Sequence, residues 1–289
     1  MTINELYLDF RRNYMEVRLR PSTIRGYAVN MENHALPLLG DKELERLTVE
    51  DLDRLSAELL SRLSAKSVVY VHASLRKMLN YAIRRGYISA NPYGMFDMPR
   101  VNKYRYTVLD REQKKRLLTA CVGTPIEAPV FLSLRHGLRR GECLGIIPET
   151  DISIGRRVLH IQRTRSVEHG KEIVTPCKTE NSDRNILLDD EDLERIFRIR
   201  KATGGKYLCN LSPASLEKQF RKLIRSAGLP PIRFHDLRHS FATYMLECGI
   251  NPKIVSDVLG HSNVGVTLDI YSHPDVMMQA VCLQAMRNL

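Results

Sequence analysis

The sequence predicts a mainly α protein with a small antiparallel β-sheet, arranged as an all-helical N-terminal part and an α+β remainder. Three observations carry that reading. Apolar residues recur at helical spacing from Ile3 to about Tyr87, a stretch punctuated by proline and glycine follows, and alternation appears only between Arg157 and Leu188. With 289 residues the chain is about twice the common domain size, so two cores are expected.

Local signals place the elements in order. Pro21-Ser22-Thr23 starts a helix, and Thr48-Val49-Glu50-Asp51 opens another with a capping arrangement. Between Glu58 and Asp97 no acidic residue occurs, yet Arg62, Lys66, Arg76, Lys77, Arg84 and Arg85 fall there, interleaved with Tyr70, His72 and Tyr81. Solvated helix faces normally mix charge signs, so this basic face is read as a phosphate-backbone contact. Ser89 to Tyr106 lacks periodicity and reads as interdomain linker, which sets domains at 1–100 and 107–289 with the linker proper at 101–106.

The second domain opens with a helix announced by Asp110 and Gln113 and continues through Pro129 to Leu134 into His136-Gly137-Leu138-Arg139-Arg140-Gly141-Glu142. Arg157 to Gln162, Glu172 to Thr175 and Asn185 to Leu188 read as the strands of one small sheet. The acids Asp189 to Asp192 are helix caps rather than metal ligands, because consecutive carboxylates cannot converge on one ion. In Phe234 to Phe241, Leu237, Phe241 and Met245 recur every four residues and face a core, while His235 and Arg238 share another face. Asn251-Pro252 starts a short helix that Gly260 closes, leaving His261 at a helix exit. Thr267 and Tyr271 sit four apart on the next helix, and a tail helix is expected from about Val276 to Leu289.

Composition narrows the function. The 44 basic against 33 acidic side chains leave +11, and both parts are basic, 15 against 12 up to Arg100 and 29 against 21 after it. A polyanion is therefore the expected partner, nucleic acid ahead of a membrane surface. The longest runs free of Asp, Glu, Lys and Arg, such as Val276 to Met286, are far too short to span a bilayer, and Met1 to Arg12 lacks a signal-peptide core, so a cytoplasmic location is expected. The six cysteines are more than twenty residues apart with no CxxC or CxxH pair, which argues against zinc and disulfides. Gly204-Gly205-Lys206 is not a P-loop, and neither HExxH nor GxSxG occurs.

A neutral imidazole beside a guanidinium, as His235 and Arg238 offer, supplies a proton acceptor and a two-pronged phosphate ligand, although an HxxR spacing alone is more often a surface pair or a satisfied core histidine. Five segments taken together resemble the tyrosine recombinase (phage integrase) family: Gly137 to Glu142, Lys178 to Arg184, His235 to Arg238, Leu259-Gly260-His261-Ser262 and Thr267 to Tyr271, in family order. The basic helical part resembles that family's SAM-like core-site DNA-binding domain, so the resemblance covers nearly the whole chain. It departs at His136, where threonine is frequent, and at Ile147-Pro148-Glu149-Thr150; the sequence shows no separate arm-site-binding domain, helix signals beginning almost at Met1, so either this member works without one or the chain is a truncated piece.

The resemblance implies a site-specific recombinase that integrates or excises a mobile element or prophage. Tyr271 would attack a DNA phosphodiester to give a 3′-phosphotyrosyl link and a free 5′-hydroxyl, with no ATP, metal or other cofactor. Arg139 and Arg238 would hold the non-bridging oxygens, His235 would take the phenolic proton, Lys178 would protonate the leaving oxygen, His261 would hydrogen-bond the phosphate, and Glu142 would orient the cluster. It further implies a homotetramer on two double-stranded DNA sites, the tail helix docked in trans, and work on the nucleoid, with an accessory DNA-bending protein left open. Two other readings stand beside it: a type IB topoisomerase with the same chemistry, and a non-enzymatic regulator, since Glu247 to His261 also resembles a helix-turn-helix.

Overall fold

The computed structural model describes residues 1–102, 106–168, 171–177, 180–261 and 263–268. Two units divide the chain, Met1–Tyr104 and Arg105–Leu289.

In the first unit a capping box between Thr2 and Glu5 starts α1 (Ile3–Phe10), which continues through a wider turn over Arg11–Met15 into α2 (Glu16–Arg18). Pro21 occupies the first position of α3 (Pro21–Asn30), where its missing N–H is harmless, and α4 (Leu36–Leu39) follows. Thr48 and Asp51 form the expected box at the head of α5 (Val49–Leu60), and Ser64 caps α6 (Ala65–Arg84), the longest described helix. Ile3, Leu6, Phe10, Met31, Leu52, Leu59, Leu75 and Met78 are fully buried among these helices.

The stretch read as linker from Ser89 is linker only in its later part. Tyr93 and Phe96 are buried in the helical core because α6 presents them a fully buried His72, whose ring stacks on Phe96 at 4.8 Å. His72 Nδ1 bonds the Tyr93 hydroxyl at 2.7 Å and Nε2 bonds Ser56 Oγ at 2.8 Å. Burial pushes the His72 pKa down to about 4, so the folded ring is neutral. The unfolded chain binds the proton more readily, and stability is therefore full above about pH 6.5 and is lost as pH falls toward 4. The difference in thermal stability between wild type and His72→Gln should narrow between pH 7 and pH 4.5, by at most about 3 kcal/mol; a constant difference would refute the neutral buried ring.

The basic stretch is also less uniform than expected. His72 and Tyr81 are buried and Tyr70 alone of the three aromatics is exposed. Lys66, Arg76, Lys77 and Arg84 lie on α6, whereas Arg62 follows α5 and Arg85 caps the end of α6. Lys77 and Arg84, with Arg18, gather over the Tyr14 ring at 5.5 to 5.9 Å, and Arg85 lies over Tyr81.

The second unit begins with α7 (Arg111–Ala120), capped by Asp110 and Gln113 as expected, then α8 (Glu127–His136), α9 (Arg140–Gly145) and a single turn, α10 (Pro148–Asp151). The strands are β1 (Ile152–Ser153), β2 (Val158–Ile161), β3 (Arg163–Glu168), β4 (Lys171–Pro176) and β5 (Arg184–Leu187). They form two antiparallel sheets rather than one, β1-β2-β5 and the β3-β4 hairpin. In the first, Val158 pairs with Leu187 and Ile161 with Arg184. Helices α11 (Asp190–Thr203), α12 (Pro213–Ser226), α13 (Asp236–Glu247), α14 (Pro252–Leu259) and α15 (Gly265–Leu268) complete the described part.

Three apolar clusters fill the described part of this unit, one around Leu117, Leu216, Phe220, Phe234 and Leu237, a second around Leu132, Leu138, Leu159, Ile161 and Ile196, and a third of Phe241, Ala242, Leu246, Val255 and Leu259. His136 is absorbed into packing: it is buried, with Nε2 3.3 Å from Asp192 and its ring edge-on to Phe131 at 5.6 Å. The unusual 147–150 segment is α10 itself, tied down by Asp151, which accepts from the Ile147 N–H and from Arg163. Among the described residues no helix is long and apolar enough to cross a membrane.

Candidate active site

Two left-handed glycines make the site. Gly137 ends α8 at φ +68° and turns the chain into α9, so that Arg139 becomes the residue capping that helix. A Cβ on Gly137 would lie 2.6 Å from both Leu259 and Phe241 side chains. Gly260 ends α14 at φ +66°, and a Cβ there would lie 2.7 Å from the Asn181 carbonyl. Glycine is required at both places by dihedral angle and by close approach.

The two turns present helix-end carbonyls to two arginines. Arg238, only 3% exposed on α13, donates from Nη1 to the Gly137 carbonyl and from Nη2 to the Leu259 carbonyl, both at 2.7 Å. Arg139 donates from Nη2 to the Gly260 carbonyl at 2.7 Å and from Nη1 to Glu142 Oε1 at 2.7 Å. Carbonyls at helix C-termini carry partial negative charge, which suits a guanidinium. The ends of α8 and α14 and the start of α9 are thus drawn onto one pair of cations. Burial and the neighbouring Arg139 lower the Arg238 pKa to about 9, and the side chain remains charged at neutral pH.

Glu142 is buried in the first turn of α9. Burial opposes its ionisation, but hydrogen bonds and charge from Arg184, and then charge from Arg139, outweigh burial and hold its pKa below the usual range. Arg184 was assigned no role by the sequence; it lies at the start of β5 and bonds both Glu142 oxygens, at 3.2 and 2.9 Å.

His261 follows Gly260, and its Nδ1 is 2.9 Å from the hydroxyl of the fully buried Thr267. Burial, then Arg238 and Arg139, push its pKa down to about 4, so the ring is neutral. Nδ1 is engaged with Thr267, and in the tautomer in which the Thr267 hydroxyl donates to it the ring carries its proton on Nε2 and can donate there. His235 stands at the N-cap position of α13, three residues before Arg238, with one part of its ring open to solvent and the other packed against neighbouring groups. Its pKa is lowered by desolvation and by His239 and Arg238, which leaves it neutral and able to accept a proton. Its ring meets His239 edge-on at 5.0 Å, and His239 stacks on Tyr106 at 4.5 Å.

Arg139, Glu142, Arg238 and His261 are thus assembled around Gly260, and His235 lies at the head of the helix that carries Arg238. Lys178, Tyr271 and the tail helix lie outside the described residues. The sequence reading missed Arg184, Asn181, which donates to the His261 carbonyl at 3.3 Å, and the stack under His235. It also missed a basic helix face: Lys218, Arg221, Lys222 and Arg225 are exposed on one side of α12, at spacings of three, four and seven. That periodicity was available in the sequence. Among the described residues no group of three or more His, Cys, Asp or Glu side chains is placed to hold a metal ion. Two guanidinium groups beside two neutral imidazoles constitute an anion site with hydrogen-bond donors and a proton acceptor, which is what displacement at a phosphodiester requires.

Comparison with known proteins gives the family and the fold. Residues 107–277 match the model of the phage integrase family, and residues 2–60 match the phage integrase N-terminal SAM-like domain. A tyrosine recombinase XerC-like protein of Caldanaerobacter subterraneus subsp. tengcongensis is 30% identical over 245 residues, 72% of this chain and 62% of that protein. Tyrosine recombinase XerC of Alcanivorax borkumensis is 29% identical over 273 residues, 90% of this chain and 86% of that one. The fold is similar to that of the Tn1549 transposon integrase in complex with transposon right end DNA, with a TM-score of 0.86 at 20% identity over 99% of this chain and 100% of the other. A lambda integrase dimer bound to a COC′ core site gives a TM-score of 0.73 at 18% identity over 96% and 97%.

Proposed function

The chain belongs to the phage integrase family of tyrosine recombinases, and on that premise we infer that it is a site-specific DNA recombinase that cuts and rejoins strands through a 3′-phosphotyrosyl intermediate. The observation that supports this reading best is the gathering of Arg139, Glu142, Arg238 and His261 around the Gly260 turn. The Tyr271 oxygen forms a bond to phosphorus as the bond from phosphorus to the 5′-oxygen breaks. The phenolic proton passes to His235, and Lys178 supplies a proton to the departing 5′-oxygen. Arg139 and Arg238 bind the non-bridging oxygens, and His261 Nε2 donates to one of them. Because the phosphotyrosyl link conserves the bond energy of the broken ester, the reverse attack by a 5′-hydroxyl reseals a strand without ATP. The arriving phosphate carries negative charge and raises the proton affinity of both histidines where they are needed.

The wider role follows the relatives. Likeness to a transposon integrase supports action on a mobile element or prophage, within the cytoplasm and on the nucleoid. A solved lambda integrase tetramer bound to a Holliday junction has the same fold, which supports a homotetramer on two sites with the tail from about residue 276 docked in trans. Neither the regulator nor the topoisomerase reading is favoured by the relatives. The α6 cations and the exposed face of α12 supply the contacts to duplex phosphates. Replacing Lys218, Lys222 and Arg225 with Gln should weaken duplex binding irrespective of sequence and reduce its salt slope by about one per side chain; an unchanged slope would remove α12 from the interface.

The test of the reaction is a nicked duplex drawn from DNA flanking the gene, incubated without divalent metal or ATP and resolved on a denaturing gel. A covalent protein-DNA adduct is expected from the wild-type chain. Salt-sensitive binding to the same duplexes with no adduct would overturn the enzyme reading in favour of a regulator.

A further inference from the structure

Arg184 is buried to 7% side-chain exposure and has all three guanidinium nitrogens bonded inside the protein. Nε donates to the Val258 carbonyl at 2.6 Å, Nη1 to the Ser182 carbonyl at 3.1 Å and Glu142 Oε1 at 3.2 Å, and Nη2 to Glu142 Oε2 at 2.9 Å. Arg139, by contrast, keeps a third of its side chain exposed. Arg184 is therefore committed to protein rather than to a phosphate.

Its partners belong to three of the segments that carry candidate catalytic groups. Glu142 also accepts from the backbone N–H and from Nη1 of Arg139, at 2.9 and 2.7 Å. Val258 stands three residues before His261 on the end of α14. Ser182 follows Asn181, which holds the His261 carbonyl, and Lys178 lies four residues earlier in the chain. Each Glu142 oxygen is shared between the two arginines, so the carboxylate that aims Arg139 is the one that Arg184 covers.

The charges explain why a second arginine is needed. A carboxylate facing Arg139 orients it but cancels its charge, which would leave Arg139 and Arg238 together with a net charge of one. Arg184 cancels Glu142 instead, and the cluster keeps a net charge of two, three guanidinium groups against one carboxylate with both histidines neutral. A phosphodiester under attack by a phenolate carries two negative charges in its transition state, one from the ester and one from the nucleophile. Matched fixed charge in a partly desolvated site stabilises such a state most.

We propose that Arg184 is a positioning residue that neutralises Glu142, so that Arg139 is aimed without loss of charge, and that ties the Asn181 to Arg184 segment to the His261 turn. This rests on the recombinase reading. The test compares wild type, Arg184→Gln and Arg184→Lys in single-turnover cleavage of nicked duplexes whose scissile group is either a phosphodiester or an uncharged methylphosphonate. Duplex affinity and thermal stability are measured alongside. Arg184→Gln should bind within about threefold of wild type and cleave the phosphodiester about 10 to 100-fold more slowly. On the methylphosphonate, whose transition state carries one charge fewer, the defect should shrink several-fold. Arg184→Lys keeps the charge without the fork and should fall between wild type and Gln. Equal defects on both substrates, a Lys variant as slow as Gln, or a Gln variant at the wild-type rate would each overturn the assignment. Should Arg184→Gln fail to fold, Arg184→Lys decides alone: a wild-type ratio of the two cleavage rates supports it and a changed ratio overturns it. A wild-type chain that gives no adduct refutes the recombinase reading itself, an outcome distinct from all of these.

Discussion

Tyr271→Phe is expected to abolish the covalent adduct, a loss of more than about a thousandfold, with duplex affinity held within about twofold. The substitution removes one oxygen and keeps the ring. The cations proposed to attract the backbone, on α6, on α12 and at Arg139 and Arg238, are untouched, and affinity for duplex DNA comes mostly from such contacts. Cleavage has no comparable reserve, because nothing else on a phenylalanine can attack phosphorus. Binding and chemistry should therefore separate completely in this variant. An adduct that persists would put the nucleophile elsewhere in the chain, and loss of binding together with cleavage would give Tyr271 a structural role instead.

Legibility in the sequence followed the range of the interactions. Helix starts at Thr48, Asp110, Asp189 and Asn251 were readable because a cap and its partner are two or three residues apart. The turns at Gly137 and Gly260 were equally local. β3 was not readable, since Arg163 to Glu168 has a single apolar residue, Val167. Its strand is held by distant ties, Arg163 to Asp151 and Arg165 to the Cys209 carbonyl. Tyr93 and Phe96 looked like linker because the pocket that holds them is made by a helix some twenty residues earlier.

The candidate site divides in the same way. Arg139, His235, Arg238 and His261 stand in short motifs, so the resemblance reached them. Arg184 gave no local signal: its partners Glu142 and Val258 are 42 and 74 residues away. Arg238 was placed beside His235 on a face apart from the core, whereas the structure buries it. The physical reason is the convergence of two helix ends, whose unpaired carbonyls satisfy a guanidinium that helical periodicity alone would leave in water.

That burial makes Arg238 the position at which fold and chemistry fail together. Arg238→Gln removes the charge and leaves the Gly137 and Leu259 carbonyls without their donors. Each orphaned buried acceptor costs about 1 to 3 kcal/mol, and in a unit of this size such a loss lowers the melting temperature by roughly 5 to 15 °C. Loss of a positioned cation at the phosphate should slow cleavage a further 100 to 1,000-fold, roughly the effect of removing one oxyanion donor. Arg238→Lys separates the two effects. A lysine keeps the charge but cannot hold two carbonyls and a phosphate oxygen in the fixed plane of a guanidinium. It should recover part of the melting temperature while cleaving nearly as slowly as the glutamine variant. The measurements are thermal unfolding and single-turnover cleavage on the same preparations. If Arg238→Lys regained stability and rate in equal proportion, Arg238 would serve only to join α8, α13 and α14, and the phosphate would be held by Arg139 alone.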